Sequence, residues 1–307
     1  GVQTCALPIF FTLIIINSVS ISFAQTSTNN VIDELEEIVV TAQRREQNIS
    51  DVSQAVQALS GDDLDELNIT NFEEMITLIP GAIQNSTISH GSNVYSIRGV
   101  AASETDGDAT VGYYLDNFAF SIPGRPYAPV TDLYDTERVE VLRGPSGTLY
   151  GLGSLGGTIK VITRDPVIGE FEGAFKATVS EIDDGDSSYT GDIVINAPIS
   201  DKAALRAVLS IKDIGGWAEI IPSEQTDGNP YEALTGRLKL LVEPNEKTSV
   251  KFTYWRQDSE QEFANRLTYP SPPAIDNVFG ETFSDYTIYI LDVAYDLGFA
   301  MLESTTG

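Results

Sequence analysis

From Phe171 onward the chain alternates apolar and polar residues with a period of two. Phe171, Gly173, Phe175, Ala177 and Val179 share one side, and Glu172, Lys176, Thr178 and Ser180 share the other. The pattern returns at Tyr189 to Ala197. It returns again with Ala203, Leu205, Ala207, Leu209 and Ile211 set against Arg206, Ser210 and Lys212, and with Leu234, Leu238, Leu240 and Val242 set against Arg237 and Lys239. Val250, Phe252 and Tyr254, then Ile288, Ile290, Asp292 and Ala294, continue it less cleanly. Such alternation predicts strands with one apolar and one polar face. Runs of about ten residues suit membrane-crossing barrel strands, although a soluble antiparallel sandwich alternates too.

The connections separate these two readings. "PISDK" and "EPNEK" are short, whereas "DIGGWAEIIPSEQTDGNPY" and the stretch 257–285 are long. Short turns alternating with long loops are the habit of outer-membrane barrels; the short turn near Asp183 to Ser188 breaks the trend. Tyr189, Trp217, Tyr254, Trp255 and Tyr286, near strand ends, fit interfacial girdles and fit a core nearly as well.

The first half has a different texture. Ser60 with Asp63, and Thr70 with Glu73, have the spacing of an N-cap and the third helical residue, so two short helices are predicted there, the second ending before Pro80-Gly81. Short strand-like runs alternate with Gly, Asp and Pro turns between Asn93 and Arg164. Residues 54–166 thus read as a small α+β domain, and residues 167–307 as part of a barrel. Ahead of them, in residues 25–53, the apolar pentapeptide Ile38-Val39-Val40-Thr41-Ala42 stands between polar stretches, which predicts an extended segment with flexible flanks.

Residues 10–24, "FFTLIIINSVSISFA", have the length of a signal-peptide core and end in Ser22-Phe23-Ala24, small at both cleavage-defining positions. Residues 1–9, "GVQTCALPI", read as a translated sequencing adapter, which would make Cys5, the single cysteine of the chain, foreign to the protein. Without it there are no thiols for disulfides, nucleophilic catalysis or metal binding. The formal net charge of -27 repels nucleic acid.

Catalytic chemistry finds little support. His90 is the single histidine, no Gly-x-Ser-x-Gly elbow occurs, and Ser154 has no base signalled nearby, so an enzyme is not expected. Carboxylate-rich Asp183-Asp184-Gly185-Asp186 lacks the spacing of a calcium loop, and neither a metal site nor a cofactor is expected. Gly151-x-Gly153-x-x-Gly156 has dinucleotide-binding spacing. That motif needs a helix after the glycines to supply the anion site, whereas Thr158 to Arg164 leaves them as a strand.

Four stretches carry a family resemblance: "EEIVVTAQRREQNISDV", "YSIRGV", "TERVEVLRGPSGTLYGLGSLGGTIKVITRDP" and "LDVAYDLGFAMLESTTG". Over residues 36–307 the chain resembles a TonB-dependent outer-membrane receptor. The third stretch is specific in order and spacing; its one departure is Ser146, where many relatives carry a longer polar side chain. The resemblance implies an α+β plug domain followed by an antiparallel transmembrane β-barrel. Since plugged transporters have about 22 strands, the six or seven read here would form an open part of one.

The resemblance also implies roles. Ile38, Val39, Val40, Thr41 and Ala42 match the segment that pairs with TonB, the inner-membrane energising partner, by strand addition. Arg98 and Arg143 match arginines that ion-pair with barrel-wall glutamates, with Glu137 and Glu140 as nearer candidates. Asp106, Asp108, Phe120, Arg125 and Tyr127, on outer plug loops, are the expected substrate-facing residues. The implied cargo is a bulky scarce solute, first a ferric siderophore, with cobalamin or a saccharide as alternatives. A passive porin is the reading from another class. The implied setting is the outer membrane of a Gram-negative bacterium, with its lipid around the barrel.

Overall fold

The computed structural model describes residues 39–307 apart from 46, 87–92, 103–106, 122–123, 152, 183–184, 221–224, 263–266, 269–273 and 276–281. The adapter and signal readings, Ile38, His90 and Asp106 therefore lie outside the described residues.

A small domain comes first. Strands β1 (Val39–Val40) and β2 (Gln47–Asn48) pair antiparallel. Strand β3 (Ala55–Ser60) leads into helix α1 (Gly61–Glu66), where the expected capping box forms: Asp63 N donates to Ser60 Oγ at 3.0 Å and Ser60 N to Asp63 Oδ2 at 3.3 Å. Helix α2 (Phe72–Ile76) starts one residue later than the sequence suggested. Its cap is Asn71, whose Oδ1 accepts from Glu74 N at 2.9 Å, because Glu73 is engaged by Asn93 Nδ2 at 2.6 Å.

Strands β4 (Ala82–Ser86) and β5 (Val94–Ile97) form a hairpin. Then come β6 (Val111–Leu115), β7 (Phe118–Phe120), β8 (Thr136–Arg143), the single-turn helix α3 (Gly147–Tyr150) and β9 (Gly157–Thr163). They make a five-stranded sheet of order β3-β8-β9-β6-β7 in which only β6 and β9 run parallel. The three glycines of the dinucleotide-like motif turn the chain between antiparallel β8 and β9. Gly153 sits at φ +87°, and a Cβ on neighbouring Gly157 would lie 2.4 Å from the Leu142 carbonyl oxygen. The helix here precedes the glycines, so no helix N-terminus faces them.

The alternating half forms the wall. Strands β10 (Glu172–Glu181), β11 (Ser187–Ser200), β12 (Ala203–Ile214), β15 (Tyr231–Asn245), β16 (Thr248–Gln261), β19 (Thr282–Asp296) and β20 (Met301–Thr306) lie in that order, every neighbouring pair antiparallel. Several are longer than the ten residues expected: β15 and β19 have 15 each. The wall ladders therefore take both ends of the stretch read as a loop from 257 to 285, up to Gln261 and from Thr282. The two long connections carry β13 (Ala218–Ile220), β14 (Gln225–Gly228), β17 (Leu267–Thr268) and β18 (Ala274–Ile275), which join into one small sheet through the parallel pair β13–β18.

Phe175, Val179, Ile193, Leu209, Leu238, Phe252 and Tyr289 are exposed on the outer face of the wall, as a lipid-facing surface requires. Its inner face packs on the plug, so that Trp255, Ile288 and Ile290 share one buried cluster with Phe72, Met75, Tyr95, Val141 and Ile159. Trp255 and Tyr286 accordingly leave the girdle reading. Adjacent strand residues point to opposite faces, and of the pair Tyr254 and Trp255 it is Tyr254 that lies outside, tilted against Tyr289 at 5.4 Å between ring centroids. Tyr286 Oη instead donates to the Val130 carbonyl at 2.6 Å. The described strands leave the sheet open, with β10 and β20 at its margins.

Candidate functional site

The described part of the apolar segment, Val39 to Ala42, is docked on the plug, with Val39–Val40 extended in β1. Val40 and Ala42 are fully buried, in a cluster with Tyr114, Leu142 and Tyr150, while Val39 stays exposed. Thr41 is clamped by charge. Its N–H donates to Glu140 Oε1 at 2.7 Å, and its Oγ1 donates to the same carboxylate and accepts from Lys160 Nζ at 2.8 Å. Tyr150 Oη donates to the Ala42 carbonyl at 2.8 Å, and the Arg44 guanidinium lies 5.1 Å from the centre of the Tyr150 ring. The outcome follows from satisfaction of buried groups. Glu140 and Lys160 are cross-strand neighbours on β8 and β9, both buried, and Thr41 offers a donor to one and an acceptor to the other. Burial lowers the Lys160 pKa against the pull of Glu140, and burial pushes the Tyr150 hydroxyl up to about 12.

The sequence-suggested ion pairs differ in the structure. Glu140 takes Arg138 Nε at 2.8 Å, and Glu137 also pairs with Arg138. Neither glutamate meets Arg98 or Arg143. Residues 138 and 140 share a face of β8, whereas Arg143 is an odd number of residues from Glu140 and faces the other way. Arg98 is exposed, in left-handed backbone at φ +54°, with its guanidinium beside Gly144.

What the sequence reading missed is a charged ladder between plug and wall. The inward positions of adjacent strands β12, β15 and β16 present cations, and the plug answers with carboxylates. Asp135 accepts from Arg206 Nε at 2.9 Å and from Arg237 Nη2 at 3.0 Å. Lys239 bridges Asp116 at 3.1 Å and Asp165 at 2.8 Å, and Lys251 adds a second cation to Asp165 at 2.8 Å. Lys212 meets Asp132 at 2.8 Å. The polarity is opposite to the expected one of plug arginines and wall glutamates. Its signal was in the alternation, which set Arg206, Lys212, Arg237 and Lys239 on the polar face.

Register makes the ladder depend on the plug. Arg206 and Lys239 are direct cross-strand partners, a repulsive arrangement by itself, and both are buried. The plug carboxylates relieve it. Burial would raise the Asp116 pKa, but Lys239 and then Lys251 outweigh it and hold the carboxyl at about 2. Asp132 and Asp165 are lowered in the same way, by Lys212 and by Lys239 with Lys251, against burial.

The expected substrate-facing residues are dispersed. Asp108 and Arg125 are exposed and Tyr127 is half-buried; Asp108 Oδ1 accepts from Gly124 N at 3.0 Å. Phe120 turns inward, edge-on to Tyr286 at 5.1 Å. None of these four lines the cavity of about 500 Å³ that lies between α2 and the wall, bordered by Glu73, Asn93, Tyr95, Asp132, Lys212 and Gln257. Among the described residues no group of three or more His, Cys, Asp or Glu is placed to hold a metal ion.

Comparison with known proteins agrees with this geometry. The family profile described as TonB-dependent receptor plug domain matches residues 48–158. The pesticin receptor of Yersinia pestis is 27% identical over 230 residues, which cover 74% of this chain and 32% of the relative. The vitamin B12 transporter BtuB of Vibrio vulnificus is 25% identical over 235 residues, 75% of this chain and 36% of its own. The solved ferric yersiniabactin uptake receptor FyuA of Yersinia pestis superposes with a TM-score of 0.66 at 20% identity, covering 79% of this chain and 38% of that one. The chain thus spans about a third of the length of the relatives it matches. With the plug profile, the relatives and the shared architecture in agreement, the chain carries a TonB-dependent receptor plug domain at residues 48–158, followed by wall strands folded as in that solved receptor.

Proposed function

We propose that this chain provides the plug and the first wall strands of a receptor for TonB-dependent uptake of a large scarce solute across the outer membrane of a Gram-negative bacterium, with a ferric siderophore as the cargo. The observation that carries the reading is a plug fastened to the polar inner face of a sheet whose outer face is apolar. A passive porin keeps an aqueous lumen; here the plug's buried core is continuous with the wall. The pesticin receptor and FyuA support a siderophore-type cargo, and the B12 transporter keeps cobalamin as the second reading.

TonB engages residues 38–42, the described part of which supports a reversible latch. Val39 and Val40 already pair edge to edge with Asn48 and Gln47, so an incoming strand exchanges one ladder for another. When Thr41 leaves, Glu140 and Lys160 remain cross-strand neighbours and can pair directly, which limits the cost of release. In a full-length receptor, Val40→Pro removes a ladder donor. Energised uptake of a ferric siderophore is then lost while binding persists. Uptake at the wild-type level would refute the role of the segment; saturable binding of cyanocobalamin and of no ferric siderophore would move the cargo to the second reading.

A further inference from the structure

Ser210 stands between two carboxylates and has one hydrogen to give. It is the direct cross-strand partner of Asp192, across β12 and β11. Its Oγ lies 2.5 Å from Asp192 Oδ1 and 2.8 Å from Asp132 Oδ2, which the plug brings in from the segment ahead of β8. All three residues are buried. A hydroxyl carries a single O–H donor, and an ionised carboxylate can only accept. With both aspartates ionised, one of these two short contacts would set lone pair against lone pair, in surroundings where an unmet charge is costly.

The neighbours decide where the extra hydrogen sits. Asp132 is supplied with donors: Oδ1 accepts from Tyr134 N at 2.7 Å, and Oδ2 meets Lys212 Nζ at 2.8 Å as well as Ser210. Asp192 is not. Its contact with Ser210 is the one side-chain hydrogen bond described for it. Lys176 of β10, its cross-strand partner on the other side, turns to Asp65 of α1 at 3.8 Å. Lys212 is held by Asp132 and by the Thr70 carbonyl at 3.3 Å. Tyr134 of the plug is the remaining ionisable group facing Asp192.

We propose that Asp192 and Asp132 form a proton-binding site at the boundary between plug and wall, with the proton on Asp192. The acid O–H of Asp192 then donates to Ser210 Oγ, Ser210 donates to Asp132 Oδ2, and Lys212 balances the one negative charge that remains. Every hydrogen of the chain has an acceptor. When Asp132 is not docked, Asp192 has the Ser210 hydrogen to itself and ionises. Docking of residues 129–135 therefore takes up one proton, and by linkage alkaline pH weakens that docking. The sign is opposite to that of Asp116 and Asp165, whose pairs are lost in acid. Asp132 and Lys212 border the cavity between α2 and the wall, and Lys212 also holds the Thr70 carbonyl ahead of α2, so alkali loosens this edge of the cavity.

Infrared difference spectroscopy of a full-length receptor in detergent reads the proton directly. At neutral pH a carboxylic-acid C=O band is expected in the unsubstituted receptor and is lost in Asp192→Asn. It is lost as well in Asp132→Asn, where Asp192 keeps its carboxyl but gains the Ser210 hydrogen and Lys212. A band that persists in Asp192→Asn would place the proton elsewhere, and one that survives Asp132→Asn would show a proton independent of the plug; either result overturns the site. The unsubstituted receptor supplies a check free of both variants. Its band should vanish reversibly as the pH is raised, and a spin label at exposed Thr77, on the cavity rim, should gain mobility over the same range. The absence of any such band, or a label whose mobility does not change as the band is lost, overturns the proposal.

Discussion

The Asp135 carboxylate grips the Arg206 guanidinium with both oxygens, Nε donating to Oδ2 at 2.9 Å and Nη2 to Oδ1, across the boundary between plug and wall. A fork-to-fork pair is directional as well as strong, and here the same carboxylate also receives Arg237. One plug residue therefore pairs with two buried wall arginines, which fixes the register of plug against wall.

Asp135→Ala leaves those two cations buried beside each other. We expect a loss of roughly 3–5 kcal/mol in denaturant unfolding of a full-length receptor in detergent. Trp255 fluorescence is the readout, because Arg237 lies 5.0 Å from the centre of its ring. Glu172→Ala removes only an exposed partner of Arg206 and should cost less than about 1 kcal/mol. Equal effects would show that the ladder is not what holds the plug.

Glu140→Gln tests the latch. The amide keeps the volume of the side chain but gives up the charge that faces Arg138 and Lys160 and one of its accepting oxygens. A spin label at Val39 should become more mobile, and trypsin should cut sooner after Arg44 or Arg45. An unchanged spectrum would mean that apolar packing of Val40 and Ala42 alone holds the segment.

Acid should loosen the plug. Asp116, Asp132 and Asp165 all have lowered pKa values in the folded protein, so each contributes stability that is complete above the ordinary carboxylate pKa near 4 and is lost as pH falls through the folded value. For Asp116 that window runs from near pH 4 down to about 2. Unfolding midpoints measured across it should fall steeply, and Asp116→Asn should flatten the slope. A flat profile in the unsubstituted receptor would contradict the ionised ladder.

The glycine motif should bind no dinucleotide. Calorimetry of a full-length receptor with NAD or FAD is expected to show no saturable heat, since the chain leaves the glycines as β9. Gly157→Val, by contrast, places a side chain against the Leu142 carbonyl and Ile97, and folded receptor should be lost from the membrane. Micromolar nucleotide binding would overturn the reading of this turn.

Local signals were legible without the fold. Period-two alternation marked six of the seven wall strands, the Ser60 and Asp63 spacing yielded a capping box, and β-branched residues after Gly157 marked a strand instead of a nucleotide helix. Each depends on neighbours a few residues apart, where backbone geometry alone sets the outcome. The two helix starts show the limit: Thr70 and Asn71 both offer a cap, and the contact between Glu73 and the distant Asn93 selected the second.

Long-range partnership belonged to the tertiary structure. Alternation places Arg206, Arg237 and Lys239 on one face together, but only the packed plug makes that face interior and supplies Asp116, Asp135 and Asp165 to neutralise it. The same holds for Thr41 and Glu140, 99 residues apart: the sequence marks an apolar segment with polar flanks, and the fold buries it where Thr41 can donate to Glu140 and accept from Lys160. Burial makes an unmet charge costly, so the partners of buried ions are decided by whichever groups the packed elements bring within reach.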